Sequence, residues 1–260
     1  MSKVKDNAEF DYIVPGLQRG LKVLELFDTD RRTLTTHEIA ESLGTTVSSV
    51  YRIVQTLHHM GYLSKGERGE FSLGAKLLGR GFTYLASRDV VDIAAPYIIS
   101  LRDRTSLSCH MSIREHTDTL YIYRSFASQR LSVNIHVGTR IPCHCNAMGK
   151  VLLSGLSVFE LAALYRSVRL DDHPYSTSKT FPDLQAEVSL ARKRGWVIGR
   201  SDYATSVAAP IFDSRGDVIA AINLSGPDAI MASEEFTQRT RDMVVQCAKL
   251  VSAQAGYLQA

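Results

Sequence analysis

Between Glu41 and Glu67 the chain carries no carboxylate, yet Arg52, His58, His59 and Lys65 all fall inside that interval. Plotted at 100° per residue over a helix expected from about Thr46 to Met60, Val47, Val50, Val54 and Leu57 share one face, while Thr45, Ser48, Arg52, Gln55 and His59 lie opposite. Such a face offers hydrogen-bonding groups without negative charge, which is the chemistry needed to read base edges in a DNA major groove. Ser48, Ser49 and Arg52 are the base-reading candidates. Thr45 and Thr46, with Lys65 and Arg68 on the glycine-rich turn that follows, are candidates for phosphate contacts, which fix register and carry little sequence information.

A second constellation is Pro142-Cys143-His144-Cys145, with His136 nearby. Thiolates and imidazoles are soft-metal ligands. In an extended segment Cys143 and Cys145 point one way and His144 the other, so a chelate would need further ligands such as Cys109 or His110. The expectation is small, semi-buried cysteines lining a core or pocket; a metal or thiol-sensing site is the open alternative. An enzyme built on these residues would lack a base oriented by a third group in the same motif. The chain contains no G-x-S-x-G, no G-x-x-x-x-G-K-[ST] and no H-E-x-x-H. His37-Glu38-Ile39-Ala40-Glu41 ends in the wrong residue for a zinc helix, and Gly79-Arg80-Gly81 lacks the preceding strand of a dinucleotide fingerprint. No catalytic residue, cofactor or metal is expected.

The elements that must position the polar helix face are legible around it. Leu17, Leu21, Leu24 and Phe27 follow Pro15 at helical spacing and make one apolar stripe. Thr35-Thr36-His37-Glu38 fits a capping box at the start of a second helix, which Gly44 stops. Ala40, Gly44, Val50 and Ile53 are the small, turn-forming and branched apolar residues that a helix-turn-helix needs at this spacing. Tyr62 to Leu73 reads as two short strands around a glycine-rich turn, a wing with Lys65 and Arg68 at its tip. The bland alternative is a three-helix module with a solvated polar face. The missing carboxylates, the spacing and the wing together favour double-stranded DNA as a partner.

Composition bounds the rest. With 260 residues, 45% hydrophobic and 22% charged, the chain suits one large globular domain or two small ones. Thirty Lys and Arg against 27 Asp and Glu leave +3, so any nucleic-acid surface must be local. No apolar run approaches the ~18 residues of a membrane span, and the polar opening lacks a signal-peptide core. Four irregularly spaced cysteines suggest a reducing cytoplasm.

The expected organisation is an arm over residues 1–14, a winged helix-turn-helix over 15–74, a helical linker and entry helix over 75–106, and an α+β domain over 107–260. Leu77, Leu78, Phe82 and Leu85 share one side of the linker, whose second run carries Pro96. In the α+β domain, Cys109, Met111 and Ile113 alternate with polar neighbours, and the strand pattern resumes at Leu120 after His116-Thr117-Asp118. A second hairpin joins Val207–Phe212 to Val218–Leu224 through Asp213-Ser214-Arg215-Gly216. Helices are expected at 146–155, 158–166, 182–194 and 233–258, the last burying Phe236, Thr240, Met243, Cys247 and Leu250.

Several segments in order resemble the IclR family of bacterial transcriptional regulators: Pro15-Gly16-Leu17-Gln18-Arg19-Gly20-Leu21, the helix-turn-helix, Gly138 through Lys150, Val207-Ala208-Ala209-Pro210-Ile211, and Ile222 through Pro227. The resemblance implies a winged helix-turn-helix joined by a helix to a GAF-like effector domain. It also implies a homodimer or dimer of dimers, palindromic operators near metabolic promoters and control by a small organic acid. Val133 and the run Gly138 to Lys150 look most like regulators of aromatic-acid and β-ketoadipate catabolism. By that resemblance the effector lies against the sheet and the helix start at Asn146, with Val133, Ile141, Ala147 and Met148 as apolar wall. Ser206, Asn223 and Ser225 match positions that supply polar contacts to a carboxylate or carbonyl. The chain departs from the family after Gly195-Trp196, where Val197-Ile198-Gly199-Arg200-Ser201 replaces an acidic segment. Arg200 is expected instead as a cation at the pocket mouth, with a solvated loop arginine as the alternative. The alternative function is an effector-independent DNA-binding protein whose C-terminal domain only oligomerises.

Overall fold

A computed structural model describes residues 12–28, 30–86, 89–127, 132–170, 176–201 and 203–257, with the side chains at 82, 84–86 and 89 left out. Most of the expected 1–14 arm lies outside this set; Tyr12, Ile13 and Val14 are exposed. The chain divides into two compact units, one up to residue 87 and one from residue 88.

The first unit contains α1 (Pro15–Glu25), α2 (Thr36–Ser42), α3 (Val47–His59), β1 (Leu63–Lys65), β2 (Phe71–Leu73) and α4 (Ala75–Ala86). Thr35 caps α2 with the full box: its hydroxyl accepts from the Glu38 N–H, and the Glu38 carboxylate accepts from the Thr35 N–H at 2.7 Å. Gly44, at φ +60°, supplies the left-handed residue that turns α2 into α3. Val23, Phe27, Leu34, Ile39, Ala40, Val50, Val54, Leu63 and Phe71 form the core. Leu24 packs against it, but Leu17 and Leu21 are more than half exposed, so the buried stripe of α1 runs through Val23 and not through them. Val47 is likewise exposed, because it occupies the first helical position of α3, ahead of the turn that crosses α2. On α4, Leu78 is exposed; Phe82 and Leu85 have undescribed side chains.

The second unit opens with α5 (Asp89–Thr105), which carries Pro96 internally. There follow β3 (Ser108–Glu115), β4 (Asp118–Ser125), β5 (Arg140–Pro142), a 3₁₀ turn at Cys143–Cys145, α6 (Ala147–Leu153), α7 (Val158–Tyr165) and α8 (Phe181–Arg194). The chain continues with β6 (Val197–Ser201), β7 (Ala204–Phe212), β8 (Val218–Pro227), α9 (Asp228–Met231) and α10 (Glu234–Gln254). The six strands make one antiparallel sheet in the order β5-β4-β3-β8-β7-β6. The expected linker is thus two helices, and the second packs within this unit against α10, β3 and β4.

Both faces of the sheet are covered. On one, Ser112 donates to Met148 Sδ of α6 at 3.3 Å, and a Cβ on Gly199 would stand 3.0 Å from the Ala147 Cβ. On the other lies α10, where Cys247 is near Cys109. The alternation in β3 therefore does not separate core from solvent: Ser108, His110 and Ser112 are as buried as Cys109 and Met111. On α10 the buried stripe is Thr240, Val244, Cys247, Ala248, Val251 and Ser252; of the expected stripe Thr240 and Cys247 are buried, Phe236 and Met243 half-buried and Leu250 exposed. Cys143–Cys145 is a tight helical turn and not extended, so the predicted alternation of its side chains does not hold.

Candidate nucleic-acid interface and effector face

Thr46 caps α3, its hydroxyl accepting from the Ser49 N–H at 3.3 Å and lying 3.2 Å from Ser48 Oγ. Its side chain is engaged in starting the helix while remaining exposed. Buried Ala40, Val50 and Val54 fix the α2–α3 crossing, and that leaves Ser48 and Arg52 exposed, with Thr45 and Ser49 half-buried. Tyr51 stands more than half exposed one turn from Val47 and Ser48, a position that hydrophobicity alone assigns to the core. It adds an aromatic edge suited to apolar contact with a thymine methyl. Lys65 and Arg68 are exposed around the β1–β2 turn, where the Gly66 N–H donates to the Glu70 carbonyl at 2.8 Å. The seven predicted contacts thus share one unit, on α3, its N-terminal turn and the wing. Ser48, Ser49 and Arg52 also border a cleft of about 1030 Å³ beside α1 and α4.

In the second unit, strand register assembles a buried polar face beneath α6. Asn223 pairs with His110 on one side and Ala208 on the other, and Ser225 pairs with Ser108 and Ser206. Directly opposed residues point to the same face. That face therefore carries Ser206, Asn223 and Ser225 together with His110. Ala147 and Met148 are buried in an adjoining cluster with Tyr121, Val151, Leu152, Ala208 and Ala221. Ile141 packs against that cluster, and so does Ile135, whereas Val133 is half-buried two residues earlier in the same segment.

The start of α6 is held firmly. Asn146 Oδ1 accepts from the Gly149 N–H at 2.8 Å, and its amide donates to Thr119 Oγ1 and the Pro142 carbonyl, each at 3.1 Å. A Cβ on Gly149 would overlap the Cys143 backbone, so only glycine permits this approach. Burial pushes the Cys143 thiol up to about 12 and the Cys145 thiol up to about 11, which keeps both as thiols at neutral pH. Among the described residues no three His, Cys, Asp or Glu side chains are placed to hold a metal ion.

The hydrogen bonds of His110 fix its tautomer. The His110 backbone N–H donates to Asn223 Oδ1 at 3.1 Å, which identifies that atom as the amide oxygen. Nδ1, 3.0 Å from the same oxygen, must then carry the proton, and Nε2 accepts from the Ile135 N–H at 3.4 Å. Burial pulls the imidazole down to about 4, so it is neutral at physiological pH. With Asn223 Oδ1 used twice, the amide offers only N–H donors to anything placed against it. Ser225 Oγ is buried without a partner among the described residues. This is a face that would take an acceptor group such as a carboxylate or carbonyl.

Arg200 falls elsewhere. Residues 197–201 form edge strand β6 and not a loop; Gly199 opposes Ser206, and Arg200 opposes Thr205. The period of two turns Arg200 to the other side of the sheet from Ser206 and Asn223, where it is exposed.

Both halves of the chain match one family of known proteins. The profile of the IclR helix-turn-helix domain matches residues 16–67, and that of the bacterial transcriptional regulator IclR C-terminal domain matches residues 82–253. The Pca regulon regulatory protein of Pseudomonas putida is 33% identical over 230 residues, covering 86% of this chain and 78% of its own. A crystal structure from Rhodococcus sp. RHA1 superposes with a TM-score of 0.80 at 28% identity, over 94% of this chain and 98% of that one. The Microbacterium hydrocarbonoxydans IclR homolog complexed with 4-hydroxybenzoate superposes with a TM-score of 0.77 at 23% identity, over 92% and 98% respectively. Among the described residues no helix is long and apolar enough to cross a membrane.

Proposed function

The chain belongs to the IclR family of bacterial transcriptional regulators, and from that premise we propose that it is a one-component switch of a catabolic operon whose effector is an aromatic carboxylic acid. It is a DNA-binding regulator with an N-terminal helix-turn-helix and a C-terminal effector domain. The finer assignment is that Ser48, Ser49 and Arg52 read bases, while Thr45, Thr46, Lys65 and Arg68 hold phosphates, on a palindromic operator bound by a homodimer or dimer of dimers in the cytoplasm. A two-fold protein requires two half-sites, which is why palindromy and dimerisation go together.

The observation that carries the effector assignment is the buried face of neutral donors, Asn223 and the unpartnered Ser225, beside the apolar wall of Ala147, Met148 and Ile141. An apolar wall with a few convergent donors suits a ring bearing one carboxylate. The P. putida relative's name and the 4-hydroxybenzoate in the Microbacterium homolog support the same class. Ligand binding at β3 and β8 has a covalent route to the DNA reader, because α5 packs on β3 and β4 and is preceded directly in the chain by α4. The switch then requires only that the acid bind one of two conformations more tightly.

Footprinting of the full-length protein on the DNA flanking its gene, with and without 4-hydroxybenzoate, tests the proposal. A protected palindrome whose occupancy changes with the acid is the expected result. Protection indifferent to a panel of aromatic and dicarboxylic acids would favour an effector-independent DNA-binding protein.

A further inference from the structure

The effector face contains a cation that the sequence pattern does not reveal. Arg124 of β4 pairs in register with His110, which pairs with Asn223, which pairs with Ala208. Four strands thus contribute one cross-strand row that runs from apolar through neutral donor to guanidinium. Arg124 is half-buried. Its partners among the described residues are neutral: Asn134 Oδ1 at 3.3 Å and the Phe126 ring, whose centroid lies 4.1 Å from the guanidinium carbon. Its charge is felt by His110, where it opposes protonation. A guanidinium has five donors in a fork that matches a carboxylate, and one donated hydrogen bond leaves most of them available.

Resting on the proposed effector function, we infer that Arg124, and not Arg200, is the cationic anchor for the effector's carboxylate. Asn134 accepts one hydrogen bond from the guanidinium, and the Phe126 ring lies against it. The ring of the acid lies toward Ala208 and Met148, at the apolar end of the row. Discrimination follows from this arrangement: a carboxylate pairs its charge with the guanidinium and can accept two bonds from its fork, whereas an isosteric amide is neutral and has one acceptor oxygen.

The experiment is calorimetric titration of the full-length protein with 4-hydroxybenzoate and with its neutral match 4-hydroxybenzamide. Arg124→Gln should weaken the acid about tenfold or more and leave the amide within about twofold. Arg124→Lys should fall between wild type and Arg124→Gln for the acid. Asn134→Ala, which removes only the resting partner, should leave both ligands within about twofold. If Arg124→Gln weakens both ligands equally, the residue acts through the scaffold and the inference is overturned; the same holds if it weakens neither. Wild-type protein that binds neither compound would overturn the aromatic-acid proposal itself, and the inference with it.

Discussion

The two functional regions of this chain are built on opposite principles. The proposed DNA reader is an exposed surface on a small core: Ser48, Arg52, Lys65 and Arg68 face solvent, and the helix α3 that carries the first two is fixed by Ala40, Val50 and Val54 behind it. The proposed effector face is interior, with His110, Asn223 and Ser225 almost wholly buried and brought together by the register of β3 and β8. An exposed surface tolerates change without loss of stability, whereas a buried polar face ties binding to folding. Substitutions at the two regions should therefore separate affinity from stability.

The largest effect is expected at Gly149. Gly149→Val would drive side-chain atoms into the Cys143 backbone. Thermal or denaturant unfolding should show the effector domain destabilised by about 3 kcal/mol or more. Next in size is the pH dependence set by His110. The folded protein keeps this imidazole neutral down to about 4, against an ordinary value of 6.5 in the unfolded chain. Between those values the unfolded state binds more protons, so the contribution is fully present above pH 6.5 and is lost as pH falls toward 4, by about 3 kcal/mol in all. Among the described residues Tyr121, Asn223, Arg124 and the Ile135 N–H face the ring, and none of them supplies a carboxylate to offset that loss. Denaturant midpoints measured from pH 8 to 4 should show this decline in wild type and a shallower one in His110→Asn.

Exposed Arg52 should behave in the reverse way. Arg52→Ala is expected to cost about 1–3 kcal/mol in operator binding, with relaxed base preference and an unchanged melting temperature, as read by gel shift and scanning fluorimetry. A smaller effect is expected from Thr46→Ala, which removes the α3 cap bond and should lower stability by about 1 kcal/mol. Arg200→Ala should change effector affinity least of all, because β6 turns that side chain away from the donor face.

The contrast between the regions also explains what the chain disclosed before its structure was known. Local chemistry was readable: the Thr35–Glu38 capping box, the Gly44 turn and the carboxylate-free α3 face all depend on residues a few positions apart. Burial on short amphipathic helices was less readable, since Leu17 and Leu21 fit the period of α1 but lie beyond the reach of its small core. The effector face was readable only where a family likeness pointed to it. The place of His110 and Arg124 on this face is not legible in the sequence, because it lies in pairing across 113 positions to Asn223 and across the β3–β4 hairpin. Arg200 was misplaced for a related reason. A loop and an edge strand of five residues look alike in sequence, but only the strand dictates which side each residue takes.

In the proposed switch, a carboxylate bound on the sheet of one unit changes DNA binding by the other. Fluorescence anisotropy of a labelled operator fragment, titrated with full-length protein in the presence and absence of saturating 4-hydroxybenzoate, tests this most directly. A shift of about fivefold or more in operator affinity, which in Arg124→Gln requires about tenfold more acid, is the predicted result. Identical operator affinity with and without the acid, in protein shown by calorimetry to bind it, would contradict the claim.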